Sequence, residues 1–367
     1  MIADSRSLSK KFFLKSKGLV VFSEKRQGRR IEGSGVNQYS GGVTVNKLNV
    51  CVIGMGGVGG YFGGKFAHAF SPNSDSSINV FFVARGKHLA AIRENGLIVK
   101  SPEFGTITCK PTLATDRISE LPQIDFFLIA VKGYDLMEAA TSMQDHVREN
   151  TMILAPLNGA DIQERLRVKI HPGRIFPSCV YISSYIEEPG VVLTGKPGKI
   201  IFGKDPAYPD ESPHELFRLF RKTSIDYDWK EDANPPIWEK YIFIASFSLI
   251  SAYSNRTLDE ILEEPSLKKE VIGIMNEINS IALKKKIQLP DGIVDLSLKK
   301  ATIFPAGTQT SLQRDISQKK GKSELELLGG TILHLGKELG IPTPTTRRIC
   351  RQLERISSSA RMSEDAG

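Results

Sequence analysis

Long apolar runs are missing from this chain of 367 residues. The longest uncharged apolar stretch, Tyr241 to Tyr253, falls well short of the ~20 residues that a membrane-spanning helix requires. No membrane association is therefore expected. Cysteine is scarce and scattered: Cys51, Cys109, Cys179 and Cys350 form no CxxC pair, which argues against a disulfide framework and for four reduced thiols in a cytosolic protein. The six histidines form neither HxH nor HxxxH, and no structural or catalytic metal is expected. Acidic residues are few in the first 45 positions, where nine Lys and Arg face only Asp4, Glu24 and Glu32. Most of the net charge of +8 lies there, so the basic balance reports a tail. A nucleic-acid groove needs its cations clustered on folded structure, and no nucleic-acid partner is expected.

That basic segment is rich in Ser and Gly, and its one apolar stretch, Gly18 to Phe22, is shorter than a secretory signal needs. Residues 1–45 read as a disordered extension or an over-extended start. Glu24 and Glu32 count against an organelle transit peptide, and the cytoplasm is the default compartment, with organelle import left open. Charged residues make up 25% and apolar residues 40% of the chain, as in globular proteins.

From Lys47 onward the pattern becomes ordered. Leu48 to Ile53, Ile78 to Ala84, Ile124 to Val131 and Met152 to Leu157 are short apolar runs of the kind that form strands buried on both faces. Helical patterns lie between them, at Tyr61 to Phe70, His88 to Glu94 and Asp135 to His146, with a polar loop at Ser71 to Ser77. Strands alternating with helices predict βαβ units and a parallel sheet. After about residue 228 helical patterns take over, at Trp238 to Tyr253, Leu258 to Leu262, Ser266 to Lys285 and Glu324 to Leu339. Ser323 and Glu326 have the spacing of a capping box for the last of these, and Gly340, Pro342 and Pro344 mark its end.

The first strand runs into Gly54-Met55-Gly56-Gly57-Val58-Gly59, a GxGxxG set between strand and helix. In such a set the first glycine permits a tight turn and the second lets the backbone approach a pyrophosphate. The third lets the helix pack on the strand, while the helix N-terminus offers N–H groups to phosphate. A structural turn that binds nothing is the other reading. The second strand ends in Arg85, where NAD sites place an acid; a cation there favours the 2′-phosphate of NADP, so NADPH/NADP+ is the expected cofactor. A solvated loop arginine is the alternative.

Several fragments together resemble the ketopantoate reductase (2-dehydropantoate 2-reductase) family. They are IGMGGVGGYFGG (Ile53–Gly64), VARGKHLAAIRENGL (Val83–Leu97), AVKGYDL (Ala130–Leu136), LNG (Leu157–Gly159), IWEKY (Ile237–Tyr241), SLQRD (Ser311–Asp315), SELELLGG (Ser323–Gly330) and GIPTP (Gly340–Pro344). The resemblance implies an N-terminal Rossmann-type doubly wound sheet followed by an all-α C-terminal domain, with substrate in the cleft between them. It implies NADPH-dependent reduction of 2-dehydropantoate to pantoate in pantothenate biosynthesis. By position, Lys132 and Asn158 would line the nicotinamide and its ribose, and Lys240 would donate the proton. Ser311 would help hold the substrate carboxylate, and Glu324 would fix the substrate hydroxyl or a cofactor ribose. Where the family continues after its lysine with two asparagines, this chain has Ile244 and Ser248, which leaves the natural 2-oxo acid open; a non-catalytic NADP-binding protein is the other alternative. A homodimer is also left open.

Chemistry alone supports part of this assignment. Lys240 is a lone cation in an otherwise apolar helix, and desolvation lowers a lysine pKa toward the range of a useful general acid; a snorkelling lysine is the competing reading. Lys132 and Asn158 each follow a strand at the edge where doubly wound sheets bind ligands. For Asn158 an ordinary Asn-Gly turn is the alternative, and for Glu324 a carboxylate placed by the helix dipole. Ser311 and Asp315 share a helix face, and Asp315 reads as structural. The expected organisation is an extension at 1–45, an NADP-binding domain at 46–228, a helical catalytic domain at 229–358 and a disordered tail at 359–367.

Overall fold

Apolar β-branched strands flanked by glycine turns build the first part of the computed structural model, which describes residues 47–70, 77–318 and 322–364. The basic extension, most of the polar loop after Phe70 and the last three residues lie outside the described residues. In chain order the first half consists of β1 (Leu48–Ile53), α1 (Gly57–Ala69), β2 (Ile78–Val83), α2 (Gly86–Asn95), β3 (Leu97–Ser101), β4 (Gly105–Cys109), β5 (Leu113–Thr115) and β6 (Phe126–Ile129). It continues with α3 (Leu136–Met143), β7 (Met152–Leu154), α4 (Ile162–Arg167), β8 (Arg174–Phe176), β9 (Ser178–Glu188), β10 (Val191–Gly203), α5 (His214–Lys222) and β11 (Asp226–Lys230).

Six strands form one parallel sheet in the order β5-β2-β1-β6-β7-β8, with Val50 of β1 in register with Val80 and Phe126. The order reverses direction beside β1, so the carboxyl ends of β1 and β6 border the crevice in which such sheets bind ligands. A second sheet was not anticipated. β10 pairs with β11 and β3 in parallel and with β9 antiparallel, and β4 closes the edge beside β3. Helix α1 lies between the two sheets and is buried without interruption from Gly59 to Ala67. Around it Phe62, Phe66, Phe82, Phe126, Phe202 and Phe220 form the first core, each ring contributing about 1.5–3 kcal/mol by leaving water.

The second half is helical: α6 (Asn234–Ser254), α7 (Leu258–Glu263), α8 (Pro265–Lys284), α9 (Ile293–Ala301), α10 (Ser311–Ser317), α11 (Thr331–Leu339) and α12 (Pro344–Glu364). Prolines in its first turn start α6, and Asn255 in the left-handed region ends it. Its residues are buried almost all round, as expected of the central helix of a bundle.

Two local expectations are corrected. The capping box at Ser323 and Glu326 does not form: the helix opens with a π-helical turn, Glu326–Gly330, and Glu326 reaches Arg165 through two hydrogen bonds of 2.9 and 3.0 Å. A bidentate, charge-assisted pair outcompetes a cap at that position. A capping box does open α7, between Thr257 and Glu260. Where a tail was expected from 359, helical backbone continues to Glu364, in keeping with a stretch free of Gly and Pro.

Candidate active site

The glycine turn divides its tasks among its residues. Gly54 has φ +89°, and a Cβ there would lie 2.8 Å from the backbone of Ala130 and Val131. At Gly59 a Cβ would fall 1.9 Å from the carbonyl oxygen of Gly54, so the helix start can close on the strand only without a side chain. A Cβ on Gly56 would meet nothing within 4 Å, which leaves open space above the turn. The side chain of Met55 is buried in the core and Val58 packs against it, leaving their backbone at the turn. Gly57 is pressed against the Ser184 carbonyl of β9, a constraint that the spacing of the set does not reveal. No acid occupies the first turn of α1, and no side chain caps it. These features fit a dinucleotide: the open backbone and the free N–H groups of α1 suit its pyrophosphate.

Arg85 stands at the N-cap of α2, immediately past β2. Its guanidinium is exposed and forms an ion pair with Glu138 at 2.5 Å. An exposed pair of this kind is worth under about 1 kcal/mol, so the guanidinium is easily drawn to a more highly charged partner.

Lys240 lies in the second turn of α6 with its side chain buried. Its ammonium donates to Asn158 Oδ1 at 2.8 Å and to the Val180 carbonyl at 2.6 Å. An ammonium has three protons to donate, so one remains for a further acceptor. Burial is the main cause that brings its pKa down to about 8, and the nearby Lys300 cation adds to the fall. Asn158 follows β7, so this contact joins the sheet edge to the helical bundle.

Lys132, just beyond β6, makes the second such contact. Its Nζ lies 3.1 Å from Asp315 Oδ2 of α10 and 3.1 Å from Glu324 Oε2. Burial alone would lower the Lys132 pKa, but the two carboxylates outweigh it and hold it above the usual value. The other oxygen of Glu324 accepts from the backbone N–H of Gly133 at 3.1 Å. Next to these groups the π-helical turn inserts Leu327 between two loops. A Cβ on Gly133 would lie 2.6 Å from Leu327, and one on Gly159 would lie 2.7 Å from it. The Tyr241 hydroxyl donates to the carbonyls of Leu328 at 2.7 Å and Leu327 at 3.3 Å, which ties the turn to α6.

Lys132, Asn158, Lys240 and Glu324 thus converge where the carboxyl ends of the strands meet the helical half. Residues 50–207 match the family model described as ketopantoate reductase PanE/ApbA, and residues 232–357 match its C-terminal counterpart. The chain belongs to the ketopantoate reductase family. The uncharacterized oxidoreductase YkpB of Bacillus subtilis (strain 168) is 24% identical over 308 residues, covering 84% of this chain and 98% of that relative. The crystal structure of 2-dehydropantoate 2-reductase from Porphyromonas gingivalis W83 is 28% identical with a TM-score of 0.71, over 84% of this chain and 99% of that one. D-Mandelate dehydrogenase, solved with NADH and anilino(oxo)acetate, shares the fold at 16% identity and a TM-score of 0.74, over 86% of this chain and 99% of that one. As a ketopantoate reductase family member the chain is an NAD(P)-dependent oxidoreductase acting on CH–OH donors.

Within this family frame the remaining residues fall along α6 and α10. Ile244 and Ser248 follow Lys240 at one-turn intervals, Ile244 half-buried and Ser248 buried. Ser311 begins α10 and is half-buried, while Thr310 caps that helix and shares a 2.6 Å hydrogen bond with Ser251 of α6. Asp315, read from sequence as structural, touches Lys132 directly. Only its spacing from Ser311 on one helical face hinted at the site. No group of His, Cys, Asp and Glu suited to a metal occurs among the described residues. The four thiols are free and buried, and burial pushes that of Cys179 up to about 11. No helix among the described residues is long and apolar enough to cross a membrane.

Proposed function

We propose that this ketopantoate reductase family member reduces a small branched 2-oxo acid with NADPH, and that the acid is 2-dehydropantoate, giving pantoate in pantothenate biosynthesis. The observation that carries the reading is the buried Lys240 ammonium, tied to Asn158 and holding one uncommitted proton where sheet edge and bundle meet. When bound, the dinucleotide supplies hydride to the carbonyl carbon. Gly54, Gly56 and Gly59 form its cradle together with the backbone of Met55, Gly57 and Val58, and Arg85 takes its 2′-phosphate. Lys240 holds its proton toward the oxo oxygen, where negative charge grows, and a pKa near 8 keeps that proton both present and transferable at neutral pH. Asn158 fixes the direction of the ammonium, Lys132 and Glu324 border the nicotinamide side, and Ser248 and Ser311 face the acid. Residues 46–228 serve the cofactor and residues 229–358 the substrate, in a cytoplasmic enzyme.

A second reading follows from Ile244 and Ser248. An apolar branched side chain and a short hydroxyl replace two carboxamides, so the pocket offers fewer hydrogen bonds to a hydroxylated substrate and more contact to an apolar one. The deciding measurement is steady-state loss of NADPH absorbance with 2-dehydropantoate, with NADH run in parallel. Saturable turnover that prefers NADPH supports the first reading. Intact NADPH binding without turnover shifts the assignment to another 2-oxo acid, and a panel of such acids then identifies it.

A further inference from the structure

Beside Lys240 stands a second lysine that the reaction scheme has not used. The Nζ of Lys300, on α9, lies 5.2 Å from the centre of the Tyr181 ring, and that of Lys240 lies 5.5 Å from the same centre. Lys300 Nζ is also 5.7 Å from the centre of the Phe243 ring, which stacks on Phe304 at 5.6 Å. Two aromatic faces hold this ammonium by cation–π attraction; it forms no salt bridge among the described residues, and the carboxylate whose charge reaches the Tyr181 phenol is that of Glu239. Two cations against one phenol ring repel each other, and an anion that comes to lie beside them lowers that repulsion.

A 2-oxo acid brings such an anion. When the cleft sheds water, the substrate carboxylate needs a compensating positive charge. Lys132 is already matched by Asp315 and Glu324, and Lys240 is committed to the oxo oxygen. Ser311 can donate a hydrogen bond but carries no charge. We propose that Lys300 binds the carboxylate of the substrate while Lys240 takes its oxo oxygen, so that the two lysines read the two ends of the 2-oxo acid. The inference rests on the 2-oxo acid reading and names the residue that recognises the class. It also accounts for the loss of two carboxamides from α6, since a cation on α9 supplies attraction that Ile244 and Ser248 cannot.

The test uses the full chain saturated with NADPH, as wild type, Lys300→Met and Lys300→Arg. Oxamate binding is measured by calorimetry, and the kinetics of 2-dehydropantoate are compared with those of its methyl ester. Lys300→Met should weaken oxamate and raise the KM of the acid by about 10–100-fold, the range of one lost charge-assisted hydrogen bond, with kcat little changed. Its kinetics on the uncharged ester should match wild type, and Lys300→Arg should restore most of the loss. Unchanged oxamate affinity in Lys300→Met, or equal losses for acid and ester, would overturn the role of Lys300 and leave the 2-oxo acid reading standing. A wild-type chain that neither binds oxamate nor turns over any 2-oxo acid would remove that reading and this inference together.

Discussion

Lys240 couples burial to chemistry at a single side chain. Its pKa of about 8 lies below the ordinary lysine value of 10.5 because burial disfavours the charged form. In the proposed reaction the ammonium is the proton donor, so kcat/KM should fall as pH rises through about 8. Lys240→Ala should lower turnover by about 10²–10⁴-fold with NADPH affinity nearly unchanged; equal turnover would remove the residue from the mechanism. The same shift makes a stability statement of definite sign. A folded pKa below the unfolded one means that holding the charge costs stability at low pH, a cost that disappears as pH rises from 8 to 10.5. Relative to Lys240→Met, the wild type should therefore gain roughly 3 kcal/mol across that interval, whatever the two lost hydrogen bonds contribute. Arg85 tests the cofactor end. Arg85→Ala should raise the NADPH dissociation constant about tenfold or more and leave that of NADH unchanged. Equal losses would defeat the 2′-phosphate assignment.

At the level of elements, the turn between β1 and α1 separates packing from binding. Gly59→Ala would drive a methyl group to 1.9 Å from the Gly54 carbonyl, so the strand and helix must part; a loss of about 1–3 kcal/mol is expected, seen as a lower Tm. Gly56→Ala places its methyl in open space, so Tm should hold while dinucleotide affinity falls at least tenfold. A variant that binds the dinucleotide normally would show that the turn is structural only. The same contrast explains which elements the sequence revealed. The strands of the parallel sheet are apolar on both faces and bounded by glycine or polar turns, so β1, β2, β6 and β7 were visible. The second sheet was not, because β10 carries Gly195, Pro197 and Gly198 in its interior and β9 ends in exposed polar residues. Both patterns imitate loops. Among the candidate residues, Lys132, Asn158 and Lys240 stood out by their places at strand ends or in an apolar helix. Asp315 shows in the sequence only a helical spacing from Ser311, and Lys300 shows nothing; tertiary contact alone brings Asp315 to Lys132 and Lys300 to the Tyr181 ring.

Across the whole molecule, the α/β and helical halves are joined by charges at the site itself. Lys132 bridges to Asp315 and Glu324, which are separated from it by 183 and 192 positions, and Arg165 bridges to Glu326 and Thr331 beside the π-helical turn. Leu327 lies between these two clasps and extends the core on the outer face of the parallel sheet. On the proposed reading, closing the cleft and ordering the catalytic groups would be one event, since the residues that join the halves are the ones assigned to the cofactor and substrate. Lys132→Met separates the two functions. It removes the cation that these two carboxylates, each under a tenth exposed, share; a half-exposed lysine limits the loss to about 1–2 kcal/mol. The Lys132 pKa is held above 10.5, so its stabilisation is fully present below that pH and is lost only as pH rises through the elevated value. The Tm difference between wild type and Lys132→Met should therefore stay constant through neutral pH and narrow only above 10.5. A difference that already vanished near pH 8 would show that this pair does not hold the halves together, and would transfer that task to Arg165 and its partners.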